Sequence, residues 1–247
     1  MFPRDRQPEL MDDPELPRDE HRQALAGLAR LNRCSGVAST MYRYLRRFAS
    51  SFGDRPLTVL DVASGSGDVP LSWLQRAKRD QWQLQVTMLD ISSTAVEEQK
   101  NRAKKLGVHA LSLQQDCLNG PLPGGFDLVT CSLFMHHLDE QQVFRLLQSM
   151  QAAAQHGMVV CDLERSQFNL MLVNLGARLL SRSRVVHHDA PASVRAAFTS
   201  GEFEQIARQA LPRPLRMHRA FPCRFIAVVA ETTVEQRVPS LALQGTS

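Results

Sequence analysis

Val59-Leu60-Asp61-Val62-Ala63-Ser64-Gly65-Ser66-Gly67-Asp68 carries the reading of the fold. An apolar strand runs into a glycine pair, and a helix begins at once. That order of elements is how a βα unit brings backbone against a nucleotide-like ligand. Gly65 and Gly67 lack a Cβ, so they permit positive φ and close approach. A dinucleotide fingerprint asks for a third glycine where this chain has Pro70, and for a helix N-terminus free to hold pyrophosphate. Here Asp68 occupies the first helical turn and Asp61 closes the strand, and both charges repel phosphate. The turn is suited to a ligand without phosphate and with some positive charge.

A second strand, Gln85-Val86-Thr87-Met88-Leu89-Asp90, ends in another carboxylate. In nucleotide-binding units an acid about 20 residues after the glycines holds ribose hydroxyls. Asp90 lies slightly farther on, as a longer connecting helix would place it. S-adenosylmethionine, with its sulfonium and α-ammonium groups, meets the charge requirement. The glycine turn, Asp90, Gln115-Asp116 and Phe126-Asp127-Leu128-Val129-Thr130-Cys131-Ser132, in this order, resemble the class I S-adenosylmethionine-dependent methyltransferases over roughly residues 57 to 163.

The resemblance implies an α/β fold, a doubly wound, mostly parallel seven-stranded sheet with a helical N-terminal cap. It implies S-adenosylmethionine as cofactor. Gly65 and Gly67 would lie under it with Asp61 and Ala63 nearby, and Asp90 followed by Ile91 would take the ribose hydroxyls. Asp116 would accept from the adenine amino group with Cys117 beside the ring, and Ser132 and Leu133 would face the methionine end. Ala63 stands where this family often has glycine, a mild loss of backbone freedom. For any single aspartate the alternative is a helix cap or a surface charge.

Composition agrees. A chain of 247 residues buries a full core without disulfides or metal. A net charge of +4, dispersed along the chain, argues against a dedicated nucleic-acid binder. Five cysteines, Cys34, Cys117, Cys131, Cys161 and Cys223, form no CxxC pair, which suggests reduced thiols and a cytoplasmic location. The N-terminal residues lack the apolar core of a signal peptide, and no apolar run approaches the ~20 residues of a membrane span.

The expected division is an N-terminal helical extension or cap over 1–52, a methyltransferase domain over 53–231 with a substrate-binding insertion at about 164–199, and a loose tail over 232–247. Residues 1–20 read as irregular, and 21–52 as helical in one or two pieces broken near Asn32–Gly36. Strands are expected at 57–63, 85–90, 111–115, 126–132 and 158–163, and helices at 68–79, 93–106, 139–154 and 200–210. A closing hairpin spans 215–221 and 224–230. Such alternation implies a parallel sheet with helices on both faces and ligands beyond the carboxyl ends of its strands. Asp61, Asp90, Asp116, Ser132 and Asp162 all fall at that edge.

The acceptor is read from what surrounds the expected methyl. Phe134-Met135-His136-His137-Leu138 follows the fourth strand and resembles the loop of many small-molecule methyltransferases. One histidine would serve as base while the other caps or packs; alternatively both are structural. His188-Asp189, in Arg184–Arg195, is a second candidate base with its orienter, or part of a polar loop with a helix cap. Asp162 and Glu164 are further candidates. No metal-ligand spacing is recognisable, so no metal is expected, although Asp162 is where a magnesium site of the catechol type would run. Phe168, Leu170, Met171, Leu172, Val173, Leu175, Leu179 and Leu180 cover nearly all sides of a helix, which fits a cap over an apolar pocket, a homodimer contact or a core helix. Arg178, Arg182 and Arg184 at its end suit an acidic ligand, a membrane surface or solvent.

Glu9–Asp13, His21, Leu28–Arg33 and His188-Asp189 carry a closer resemblance to the ubiquinone and menaquinone C-methyltransferases and to relatives in aromatic polyketide pathways of secondary metabolism. The expected activity is methylation of a small aromatic, phenolic, quinone-like or polyketide-like acceptor, with O-methylation ahead of C-methylation. A non-catalytic S-adenosylmethionine-binding scaffold is the alternative of another class. RNA methylation would require the arginines at 43, 46, 47, 178, 182 and 184 to share one face.

Overall fold

The computed structural model describes residues 2–13 and 15–230; the expected tail, 232–247, lies outside them. The alternation foreseen in the sequence is present. Among the described residues the order is α1 (Arg18–Ser35), α2 (Val37–Ala49), β1 (Leu57–Val62), α3 (Asp68–Arg79), β2 (Leu84–Asp90), α4 (Ser93–Leu106), β3 (Leu111–Gln114) and β4 (Phe126–Ser132). Then follow α5 (Glu140–Ala153), β5 (Ala154–Leu163), α6 (Gln167–Leu180), α7 (Arg184–Ala196), α8 (Ser200–Ala210), β6 (Leu215–Ala220) and β7 (Arg224–Ala230).

The strands form one seven-stranded sheet in the order β3-β2-β1-β4-β5-β7-β6. β1 to β5 are parallel, and β7 runs antiparallel to both β5 and β6. Strand alternation splits the core in two. Leu60, Val62, Val129, Val160, Ala227 and Val229 point toward α5 and α8. Leu57, Val59, Val86, Leu128, Val159 and Val228 point the other way, toward α2 and α3. Sequence chemistry sets the helix starts. Ser92 accepts from the Ala95 amide at 3.2 Å, and Asp139/Gln142 and Thr199/Glu202 form capping boxes.

Three segments differ from expectation. The first 52 residues do not act as one cap. Gly36, at φ +70°, breaks the helical run, and α2 then buries Met41, Leu45 and Phe48 against the sheet. Of these two helices only α1 joins α6 and α7, through Ala24, Ala177, Val185, Val186 and Ala190. β5 begins at Ala154 rather than 158, because Ala154 pairs with Phe126 across a bulge and α5 leads into the strand without a loop. Arg184–Arg195 is not a polar loop: it lies in α7, whose Val185, Val186, Ala190 and Val194 are buried although Pro191 sits inside the helix. No helix among the described residues is long and apolar enough to cross a membrane.

The cap helices close tightly because α1 carries no side chain at Gly27. A Cβ there would fall 2.5 Å from Ser181 Oγ and 2.9 Å from Val186 Cγ2. Gly27→Leu is expected to lower unfolding free energy by about 1–3 kcal/mol, measured as an earlier urea midpoint, because overpacking forces α1 off α7.

Candidate active site

β1 and β4 are neighbours in the sheet, but the helices that follow them leave to opposite faces. The crevice opened there, outside the carboxyl ends of the strands, is where such folds bind ligands. The loop after β1 and the turn after β4 form its two lips. A cavity of about 340 Å³ lies between them.

The β1 lip is held by backbone geometry. Ala63 and Gly65 are left-handed at φ +54° and +53°, so Ala63 adopts the conformation a glycine would take. For a non-glycine residue this costs on the order of 1 kcal/mol. Gly67, at φ +73°, could not carry a Cβ without meeting Met88 Sδ at 2.8 Å, whereas nothing lies within 4 Å of a Cβ built on Gly65. The Gly65 amide donates to Asp90 Oδ2 at 2.7 Å, and Ser92 N donates to Asp90 Oδ1 at 2.9 Å. Gln99 Nε2 donates to the Gly65 carbonyl at 2.8 Å.

Three carboxylates crowd this lip, and burial pushes each above its ordinary value. For Asp68, donation from Asn32 opposes the rise, and for Asp90 donation from Ser92 and Gly65 does so. Asp61, 1 % exposed, is pushed up to about 7, with Asp68 and Asp90 adding to the effect of burial. Its Oδ1 accepts from Thr130 Oγ1 at 2.7 Å, while Oδ2 is buried without a partner. An unpartnered buried carboxylate oxygen is costly, and a cationic donor is what it lacks. The donor set therefore fits the ammonium and sulfonium chemistry of S-adenosylmethionine.

The other lip is built on Asp162, at the end of β5. Asp162 Oδ1 lies 2.7 Å from His136 Nδ1, and Oδ2 accepts from the His136 amide at 3.0 Å. Both side chains are almost fully buried, and His136 lines the cavity. The His137 ring lies beside it at 4.4 Å between centroids. Leu133 is left-handed at φ +56° and lines the cavity with Ser132.

The roof is partly a segment that sequence reading left irregular. Residues 2–13 form a strap laced to α7 and to the histidine turn. Arg4 donates to the carbonyls of Ala196 at 2.6 Å, His136 at 3.2 Å and Leu138 at 2.7 Å, and Arg6 donates to the His137 carbonyl at 2.9 Å. The amides of Leu10 and Met11 donate to the two oxygens of Asp189, at 2.8 and 3.0 Å. Glu9 is thereby set in the cavity wall, where Ser193 Oγ donates to it at 2.6 Å. Leu25, Leu28, Leu172, Val173 and Leu180 complete an apolar lining. The opposite face of α6, with Phe168, Met171, Leu175 and Leu179, is exposed, so that helix carries two apolar faces with separate surroundings.

Of the residues singled out in the sequence, Ala63, Gly65, Ser132, Leu133, His136 and His137 line this cavity. Asp61, Gly67, Asp90, Ile91, Asp116 and Cys117 do not; they lie along the neighbouring part of the same edge. Asp90 and Gln114 are register partners between β2 and β3. Asp116 accepts from the Leu118 amide at 2.8 Å, and the buried Cys117 thiol is pushed up to about 12, by burial first and then by Asp116 and Asp90. Ile91 is 63 % exposed.

His188 is a correction. Its side chain is half exposed and outside the cavity lining, and its 2.8 Å partner Asp189 is already committed to the strap amides. Glu164 is spent on the Ser200 amide at the start of α8. Sequence reading missed Glu9 and Arg224. Arg224 is 7 % exposed, lines the cavity, donates to the Ser35 carbonyl at 2.9 Å and has its Nε buried without a partner. A cation at the head of the otherwise apolar strand β7 was the available signal.

A methyltransferase domain family matches residues 59–157. No curated protein matches the chain in sequence. Three solved structures show the likeness of fold. A protein described as an O-methyltransferase, from Nostoc punctiforme PCC 73102, is 16 % identical over 91 % of this chain and 63 % of its own, with a TM-score of 0.63. This chain thus spans less than two thirds of that protein. Magnesium protoporphyrin IX methyltransferase from Synechocystis PCC 6803, with bound S-adenosylhomocysteine, is 14 % identical over 85 % of this chain and 86 % of its own, with a TM-score of 0.56. The plantazolicin methyltransferase BamL, in complex with a triazolic analogue and S-adenosylhomocysteine, is 15 % identical over 86 % and 97 %, with a TM-score of 0.61. Residues 59–157 thus match a methyltransferase domain family, and the sheet that contains them has the fold of the class I S-adenosylmethionine-dependent methyltransferases.

Proposed function

We propose that the protein methylates the oxygen of a small aromatic, phenolic or quinone-like acceptor, held in the cavity between the glycine loop and the histidine turn. The observation that carries this reading is His136, buried in the cavity wall and oriented by Asp162. Polyketide-like phenols suit an apolar lining that also contains one buried guanidinium, Arg224. The proteins of similar fold act on chemically different acceptors, so the class of acceptor is argued from the cavity.

When bound, S-adenosylmethionine supplies a methyl group on a good leaving group. The chain's own residues do the rest. Asp61 supplies negative charge beneath the glycine loop that draws the ammonium toward it, the open face of Gly65 admits close approach, and Asp90 and Asp116 serve the ribose and adenine ends. Ionising a phenol of pKa about 10 at pH 7 costs roughly 4 kcal/mol. His136 lowers the barrier by accepting the hydroxyl proton as the methyl is transferred, while Asp162 holds the ring and stabilises the cation formed. Arg224, in the cavity lining, offers its guanidinium to an acceptor oxygen, and the leucines of α1 and α6 exclude water.

Calorimetric titration tests the cofactor side. S-adenosylmethionine is expected to bind the full chain at micromolar concentration, and Asp90→Ala to weaken it at least tenfold; absence of binding to well-folded protein would remove the reading. For the base, His136→Ala is expected to lower kcat about 100-fold or more on a phenolic acceptor, with His188→Ala within threefold of wild type. A His136→Ala variant equally within threefold would leave only positioning.

Asp61 gives a third expectation, with a sign. Its folded value of about 7 exceeds the ordinary 3.8, so between those pH values the folded state holds a proton that the unfolded state has released. Stability falls as pH rises through that window, and the full cost is present above it. Asp61→Asn is therefore expected to unfold at higher urea than wild type at pH 8, to lose that advantage near pH 4, and to bind S-adenosylmethionine more weakly at pH 8. Identical pH dependence of the two proteins would sink this account.

A further inference from the structure

We infer that Glu9, His136 and His137 form a site for a divalent transition-metal ion, zinc being the best match, and that an acceptor oxygen completes its coordination. The inference deepens the proposed acceptor site and rests on that reading for the identity of the oxygen ligand.

Each of the three residues brings a ligand atom within 4.8 Å of the other two, and all three line the cavity. Glu9 Oε1 and His137 Nδ1 are 3.9 Å apart. Two imidazoles and one carboxylate, with coordination positions left open toward a cavity, are the donor set of catalytic zinc and related first-row ions; magnesium and calcium prefer all-oxygen sets.

The supporting shell points the same way. Metal-bound histidines commonly give their other ring nitrogen to a carboxylate, which fixes tautomer and orientation. Asp162 does this for His136, occupying Nδ1 at 2.7 Å and leaving Nε2 as the coordinating nitrogen. Glu9 is steadied by Ser193 Oγ at 2.6 Å. Donors around a tetrahedral ion with bonds of 2.0–2.1 Å lie about 3.3 Å apart, so the strap and the histidine turn need to close by only about an ångström. The two ends of the site come from segments more than a hundred residues apart, which is why no spacing in the sequence announces it.

An ion here would take over the task given above to His136. The histidine lone pair would go to the metal instead of to a proton, and a phenolic hydroxyl bound to the ion would release its proton to water. The open positions favour a single phenolate or two adjacent ring oxygens.

The test is direct metal binding by the full chain. Zinc calorimetry and cobalt(II) absorption are expected to show one equivalent, with visible bands characteristic of nitrogen and oxygen ligands. Glu9→Gln and His137→Gln are each expected to weaken zinc at least tenfold, with circular dichroism and thermal midpoint verifying the fold. No stoichiometric zinc in wild type, or equal binding by folded variants, overturns the site. Methyl transfer is assayed separately after exhaustive chelation. Full activity without metal would overturn the metal's role at the acceptor and leave His136 as base, whereas failure of the methyltransferase reading would appear as loss of S-adenosylmethionine binding, whatever zinc does.

Discussion

Asp162 is 1 % exposed and accepts from the His136 amide and the Leu163 amide while engaging the His136 ring. A carboxylate removed from water has to be satisfied by its surroundings, and the turn that carries His136 supplies most of what this one needs. β4 and β5 must be neighbours, and the turn after β4 must fold back over the end of β5. Backbone and ring of His136 are then fixed together. The place of the histidine turn, and with it one wall of the cavity, follows from this single buried charge.

The opposite wall obeys another electrostatic logic. Asp61, Asp68 and Asp90 converge on one glycine loop, each raised by burial. Asp90 offsets its burial with two amide donors, whereas Asp61 keeps one oxygen unpaired. An unpaired buried carboxylate oxygen costs folding free energy, and a cationic ligand bound beside it would return part of that cost. The same excess of negative charge at the sheet edge distinguishes this site from a phosphate-binding turn.

The sheet and its cofactor edge were legible because they rest on local signals. Period-two apolar runs, the Gly65/Gly67 turn and polar caps such as Ser92 act over a few residues, and the structure places α3, α4, β4 and α8 where those signals put them. The acceptor side was less legible for a physical reason. Arg4, Glu9 and Asp189 find their partners well over a hundred residues away, and a strap held by long-range hydrogen bonds has no periodicity of its own. In α7, Pro191 and two histidines hid a helix whose apolar stripe is short. His188 and Asp189 do pair, at 2.8 Å, but adjacency in sequence cannot tell that the half-exposed His188 ring lies outside the cavity lining.

Arg4 does not itself line the cavity, yet it holds the carbonyls of His136 and Leu138 and lies over the Phe198 ring at 3.6 Å. The strap of residues 2–13 and the histidine turn are thus tied together by hydrogen bonds. A change at the strap's outer end is transmitted to imidazole alignment without altering any group that meets the acceptor, while the glycine loop on the far lip is left as it was. In this architecture residues 2–13 work as an adjusting screw for the histidine lip of the cavity alone.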